Sequence, residues 1–192
     1  LVSKLLRGDA EAAKLLARTC YYILPMANKD GVALGRTRFN ALGMDLNRNW
    51  DRPADRELAP KNYALERWLE AMIAAGKKPH FALELHNDGS GRLHISRPPV
   101  PALAQHVERM TRFEQLLRQH TWFTEGATNA AFKNSGTLGE GWLARYGIDA
   151  AVHEFNANWI AGRKEHPQGR HWREYGEQLT RVFDEYFETV KP

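Results

Sequence analysis

Apolar residues recur along most of this chain at helical spacing, interrupted by short runs in which they are nearly continuous. Val2, Leu5 and Leu6, then Ala12, Leu15 and Leu16, fall three and four residues apart. They predict a broken N-terminal helix whose second piece Asp9 can cap. Residues 19–26, TCYYILPM, are instead dense in β-branched and aromatic side chains. They predict a buried strand ending at Pro25 and a turn at 28–31. Pro60 suits the first turn of a helix, and Tyr63, Leu65, Trp68, Leu69, Met72 and Ile73 give that helix one apolar face before Gly76 stops it. The run FALEL at 81–85 predicts a second strand, with His86 just past it and a turn-rich loop, NDGSG, at 87–91. Beyond Pro98-Pro99 the pattern predicts a long amphipathic helix over 102–120, a loop at 132–136 and a short helix over 138–146. A third strand over 148–155 follows, then a closing helix over 172–190 with Tyr175, Leu179, Val182, Phe183 and Phe187 inward.

Helices alternating with short apolar strands imply an α/β fold, a mixed, largely parallel sheet with helices on both faces. No internal repeat or low-complexity segment divides the sequence, so residues 1–192 are expected to form a single domain. In such sheets ligands collect beyond the carboxyl ends of the strands. That predicts the loop after Met26, His86 and Glu154 at one edge.

Composition narrows the class. Apolar content of 43% and charged content of 26% are those of an ordinary globular protein. No apolar run reaches the roughly eighteen residues that a membrane span needs. The first residues are amphipathic and interrupted by charges, unlike a signal peptide. They open inside a helical pattern without a methionine, so the protein is expected to continue upstream. Cys20 is the only cysteine, which excludes an internal disulfide and fits a reducing, cytoplasmic compartment. The net charge of +4 is spread without a Lys/Arg run of five, which argues against nucleic acid as a partner.

Candidate chemistry concentrates in residues 31–50, GVALGRTRFNALGMDLNRNW. Gly31, Gly35 and Gly43 let the backbone turn sharply among Arg36, Arg38, Asp45, Asn47, Arg48 and Asn49. Arginine offers a planar fork for a carboxylate, and asparagine adds a donor without charge. Asn47-Arg48 therefore suits an anion, with Arg38 a second cation nearby; the alternative is that these arginines pair with Asp45 and Asp51. His86 is either a metal ligand or a satisfied surface residue, with Glu84 on the same strand face to orient it. Glu154, in AVHEFNANW, either pairs with an arginine or has a raised pKa and works as a general base. His153 next to it points to the opposite face and is expected to be structural.

NKDGV, then the spaced Arg38, then GMDLNRNW resembles the zinc carboxypeptidases of the cytosolic-type and bacterial branch, with Lys29 where that family's turn usually has proline. The resemblance implies a metallocarboxypeptidase that removes C-terminal residues from peptides with one zinc ion. Asn47 and Arg48 would bind the terminal carboxylate, Arg38 would stabilise the oxyanion, and Glu154 would be the general base. His86 matches the third zinc ligand, with His94 a lesser competitor, and Asp45 matches a residue that orients another ligand. Phe132 stands where the family has a substrate-contacting tyrosine, keeping an aromatic wall and losing a hydroxyl. Residues 137–140 would line the side-chain pocket, Glu140 being read as a solvated helix residue in preference to a selector of basic side chains.

One departure matters. The family's first two zinc ligands form a His-x-x-Glu upstream of the helix preceding the first strand, a motif this chain is expected to lack altogether. The 192 residues are therefore expected to follow that segment in a longer protein. Alone, they are expected to bind zinc weakly or not at all and to lack peptidase activity, while keeping the anion pocket. Two other readings stand beside this one: a non-catalytic carboxylate-binding module, and an amidohydrolase of the related deacylase branch.

Overall fold

The computed structural model describes residues 1–96, 103–128 and 136–190. In chain order its elements are α1 (Val2–Leu5), α2 (Ala10–Leu16), α3 (Lys29–Ala33), α4 (Pro60–Ala74), β1 (Phe81–Asp88) and β2 (Leu93–Ile95). These are followed by α5 (Ala104–His120), β3 (Ala127–Thr128), α6 (Leu138–Tyr146), β4 (Asp149–Asn156) and α7 (Gly169–Thr189). The strands form one mixed, mostly parallel sheet in the order β1-β4-β2-β3. β2 and β3 run parallel, with Leu93 opposite Ala127 and His94 opposite Thr128.

The chain divides into two compact units. The first comprises Leu1–Tyr22, Leu85–Ala131 and Val152–Pro192. Its core is made where α7 meets α5: Phe113 stacks on Phe183 at 6.1 Å and meets Tyr186 edge-on at 5.6 Å. Met110, Leu116, Leu117, Tyr175, Leu179 and Val182 are buried around them. Each such side chain contributes roughly 1.5–3 kcal/mol by leaving water. Asp9 caps α2 by accepting from the Ala12 N–H at 2.9 Å. Arg18, just past α2, donates to Glu188 at 3.0 Å and pairs with Asp184, which fastens the N-terminal helices to α7.

The second unit, Ile23–Glu84 with Phe132–Ala151, surrounds Trp50, Leu69, Leu138, Trp142, Ile148 and Ala150. Gly141 is required on α6, because a Cβ there would overlap the Trp50 carbonyl. A buried ion pair holds the loop after Trp50. The Glu66 carboxylate, on α4, accepts from the Ala54 N–H at 2.8 Å and pairs with Arg145 of α6. Arg145 also donates to the Arg52 carbonyl at 2.9 Å.

The strand expected over residues 19–26 does not form. Tyr22, Ile23, Leu24 and Met26 are exposed, and this run finds no hydrogen-bonded ladder among the described residues. Strand preference is realised only when a partner strand and a packing face are present, and a run of suitable residues supplies neither. The second strand is longer than expected. β1 continues through Asp88, so His86 lies inside the strand and not beyond it. Loss of the Arg145 partner would leave Glu66 charged and buried, so Arg145→Ala should lower stability by about 3–5 kcal/mol. Urea unfolding checks this, with Arg18→Ala, which removes an exposed pair, expected to cost less than about 1 kcal/mol.

Candidate functional site

In the second unit, Asp45 organises the arginine-rich loop. Its Oδ1 accepts from the Asn47 N–H at 2.9 Å, while Oδ2 lies 3.2 Å from Arg38 Nε and 3.9 Å from Arg48 Nη1. Both arginines therefore approach Asp45, as the competing sequence reading held, and neither of these pairs involves Asp51. Arg38 meets Asp45 through Nε, one edge of its fork, and half of its side chain remains exposed. Arg48 Nη1 donates to the Asn47 carbonyl at 2.7 Å. Asn47 is buried, and its Oδ1 accepts from the Leu138 N–H at 2.9 Å at the start of α6. That bond fixes the side-chain amide and satisfies one of the helix's orphan donors. Asn49 turns the chain with a φ of 64°, a region asparagine tolerates. Arg48, Arg52, Asp45, Asp55, Asn62 and Glu66 line a cleft of about 260 Å³. Phe132 lies outside the described residues. Glu140 sits in the first turn of α6, its N–H donating to Thr137 Oγ1 at 3.4 Å.

In the first unit, the ends of β1, β2 and β4 bring four polar side chains together. His86 Nδ1 lies 3.7 Å from Glu154 Oε1. Asp88, His94 and Glu154 each offer a ligand atom, and these atoms lie within 4.8 Å of one another. Backbone bonds hold the strands in place: the Glu154 N–H donates to the Arg92 carbonyl at 3.0 Å and the Ala157 N–H to the Asp88 carbonyl at 2.8 Å. Gly91, at φ +68°, lets the intervening loop lie against β4, where a Cβ would fall 2.8 Å from Asn156 Cβ. Burial alone would raise the Asp88 carboxyl, but hydrogen bonds from Gly91 and Ser90 outweigh it and hold the group below the usual carboxylate range. Burial lowers the His94 pKa, with Asp88 opposing.

His94 was the weaker candidate in sequence and here joins the cluster. The usable signal was the alternation in LHI: Leu93 and Ile95 are fully buried, which turns His94 to the other face. Asp88 falls in the NDGSG run, whose composition predicts a turn, and nothing in its neighbourhood marks it otherwise. A His-x-x-Glu does occur on α7, His171 to Glu174, but His171 is buried in the helix cap. Its Nδ1 accepts from the Gln168 N–H and its Nε2 lies 3.0 Å from Glu165, so it serves the helix start.

Residues 1–72 match the family model for zinc carboxypeptidases, Peptidase M14. The chain is 41% identical over 69 residues to cytosolic carboxypeptidase 6 of Caenorhabditis elegans, covering 36% of this chain and 15% of that protein. It is 34% identical over 82 residues to cytosolic carboxypeptidase 1 of Danio rerio, covering 43% of this chain and 7% of that protein. A metallo-carboxypeptidase from Burkholderia cenocepacia superposes with a TM-score of 0.77 at 22% identity, over 98% of this chain and 52% of that one. The fold is that of the metallo-carboxypeptidases, and residues 1–72 are similar to the M14 zinc carboxypeptidases. It spans about half the length of that solved structure and a much smaller share of the curated relatives.

His153, one residue from Glu154, faces the opposite way, 1% exposed among Phe123, Phe155 and Tyr175. Its Nδ1 lies 3.1 Å from the Tyr175 hydroxyl, and burial pushes its pKa down to about 3. The fold thus favours neutral His153, whereas the unfolded chain protonates near pH 6.5. Stability should fall as pH drops from about 6.5 towards 3, by up to about 1.4 kcal/mol per unit from this residue. Urea unfolding against pH measures the slope, and His153→Phe should flatten it.

Proposed function

We propose that this chain is the part of a metallocarboxypeptidase that carries its general base, one zinc ligand and its carboxylate-binding loop. The observation that carries the reading is the 3.7 Å approach of His86 Nδ1 to Glu154 Oε1, in a relative of the zinc carboxypeptidases. An imidazole and a carboxylate this close suit a zinc site: the nitrogen is a fitting donor, and the carboxylate lies within one water's reach. His86 would hold the ion together with ligands from outside this chain, and zinc would supply Lewis-acid polarisation of the scissile carbonyl.

Glu154 takes the proton from the attacking water as its oxygen bonds to the carbonyl carbon. It then delivers that proton to the nitrogen as the carbon–nitrogen bond breaks. Asn47 and Arg48 hold the substrate's terminal carboxylate, which restricts cleavage to the last peptide bond. Asp45 fixes the Nε edge of Arg38, leaving the end of its fork for the developing oxyanion. Such a donor contributes roughly 3–4 kcal/mol in the transition state. The substrate is a peptide or protein C-terminus, and the single exposed Cys20 fits a reducing compartment.

Kinetics on the complete gene product separate these roles. Arg38→Ala should lower kcat by about a hundredfold or more with little change in KM. Arg48→Ala should raise KM for peptides, and Glu154→Gln should abolish turnover while leaving peptide binding intact. An Arg38→Ala variant that only raises KM would remove the oxyanion role. Turnover retained in Glu154→Gln would remove the base.

A further inference from the structure

We propose that Asn62 of α4 is a positioning residue for the Asn47-Arg48 pair, an inference that rests on the carboxylate-binding role given to that pair above. Asn62 Nδ2 donates to the Leu46 carbonyl at 2.9 Å, and the Trp50 indole Nε1 donates to the same oxygen at 2.9 Å. A carbonyl oxygen has two lone pairs, so both are spent. The N–H of the same peptide group belongs to Asn47, and it donates to Asp45 Oδ1 at 2.9 Å. One peptide plane is thus gripped at both ends by side chains. It stands between the Asn47-Arg48 pair and Asp45, whose other oxygen faces Arg38 and Arg48.

Burial singles out Asn62. The buried residues of α4 are Asn62, Glu66 and Leu69, so two of these three inward positions are polar. A buried polar side chain on a helix is the informative exception, and it needs a partner. Glu66 holds the Ala54 N–H and Arg145. Asn62, 8% exposed, holds the Leu46 carbonyl and lines the same cleft as Asp45 and Arg48. Of the two donors to that carbonyl, Trp50 also carries core packing, edge-on against Trp142 at 6.1 Å. Asn62 is therefore the donor whose removal loosens the grip with least change to the core. Without it the Leu46 carbonyl keeps one bond, and the peptide plane is free to rotate. Rotation draws the Asn47 N–H off Asp45 and spreads the Arg48 fork over more orientations. That lost preorganisation is felt when a carboxylate binds.

The test is steady-state kinetics of the complete gene product on a free-acid peptide, comparing Asn62→Leu, Asn62→Asp, Lys61→Met and Arg48→Ala with the parent. KM does not depend on how much of the enzyme is folded, whereas apparent kcat does, so KM separates positioning from simple loss of stability. Asn62→Leu keeps the side chain's size and removes the donor, and it should raise KM about five- to tenfold. Asn62→Asp turns an acceptor towards the carbonyl; it should raise KM at least as much and serves if the leucine variant does not fold. Lys61→Met removes the neighbouring ion pair between α4 and Asp30 and should leave KM within about twofold. A parent-like KM in the Asn62 variants, or an equal rise in Lys61→Met, overturns the positioning role; a raised KM in Arg48→Ala would still keep the carboxylate reading. No turnover by the parent, or KM unmoved in Arg48→Ala, removes that reading and the positioning role with it.

Discussion

The register of β4 is the constraint on which the first unit's polar cluster depends. Side chains alternate along a strand, so a slip of one residue would exchange Glu154 for His153. The present register buries His153 among Phe123, Phe155 and Tyr175 and keeps Glu154 beside His86 and Asp88. The slipped one would push a carboxylate into an aromatic nest at a cost of several kcal/mol. The ladder bond from Glu154 to Arg92 and the fit of Gly91 against Asn156 point the same way. Positions 86, 88, 94 and 154, distant in sequence, meet because short strands with one allowed register carry them.

The arginine loop of the second unit is held by a different device. It has little regular structure, and its shape comes from side chains that satisfy backbone groups. Asp45 takes the Asn47 N–H, Asn47 takes the Leu138 N–H, and Asn40 accepts from the Leu42 and Met44 N–H groups. Arg145 and Glu66 brace the segment that follows Trp50. A loop anchored in this way can present arginine forks without the entropy loss that ordering them on binding would entail. Asn47 is buried because its side-chain oxygen is committed to the fold through the Leu138 N–H; in the proposed anion pocket only its amide hydrogens would serve a substrate.

Elements defined by their own residues were legible in sequence. The short helix over 138–146 and the strand over 148–155 match α6 and β4 within a residue, because capping by Thr137, the stop at Gly147 and the apolar run are local signals. Elements defined by a partner were not. Residues 19–26 have strand composition without a ladder, whereas Leu93–Ile95 is a strand between β4 and β3, and Ala127–Thr128 is one because it pairs with Leu93–Ile95. The candidate residues divide likewise. Arg38, Asn47, Arg48, His86 and Glu154 stood out through chemistry-bearing residue types in a recognisable order. Asp88 and His94 depended on register and on a loop's close approach to β4, which no spacing rule encodes.

The proposed peptidase would read a free C-terminal carboxylate and hydrolyse the bond next to it. The most direct measurement is mass spectrometry of two peptides of one sequence incubated with the complete gene product, one ending in a free acid and the other in an amide. The account predicts that the free-acid peptide loses its last residue while the amidated twin is spared. Equal shortening of both, cleavage at internal bonds, or no cleavage of either would contradict it.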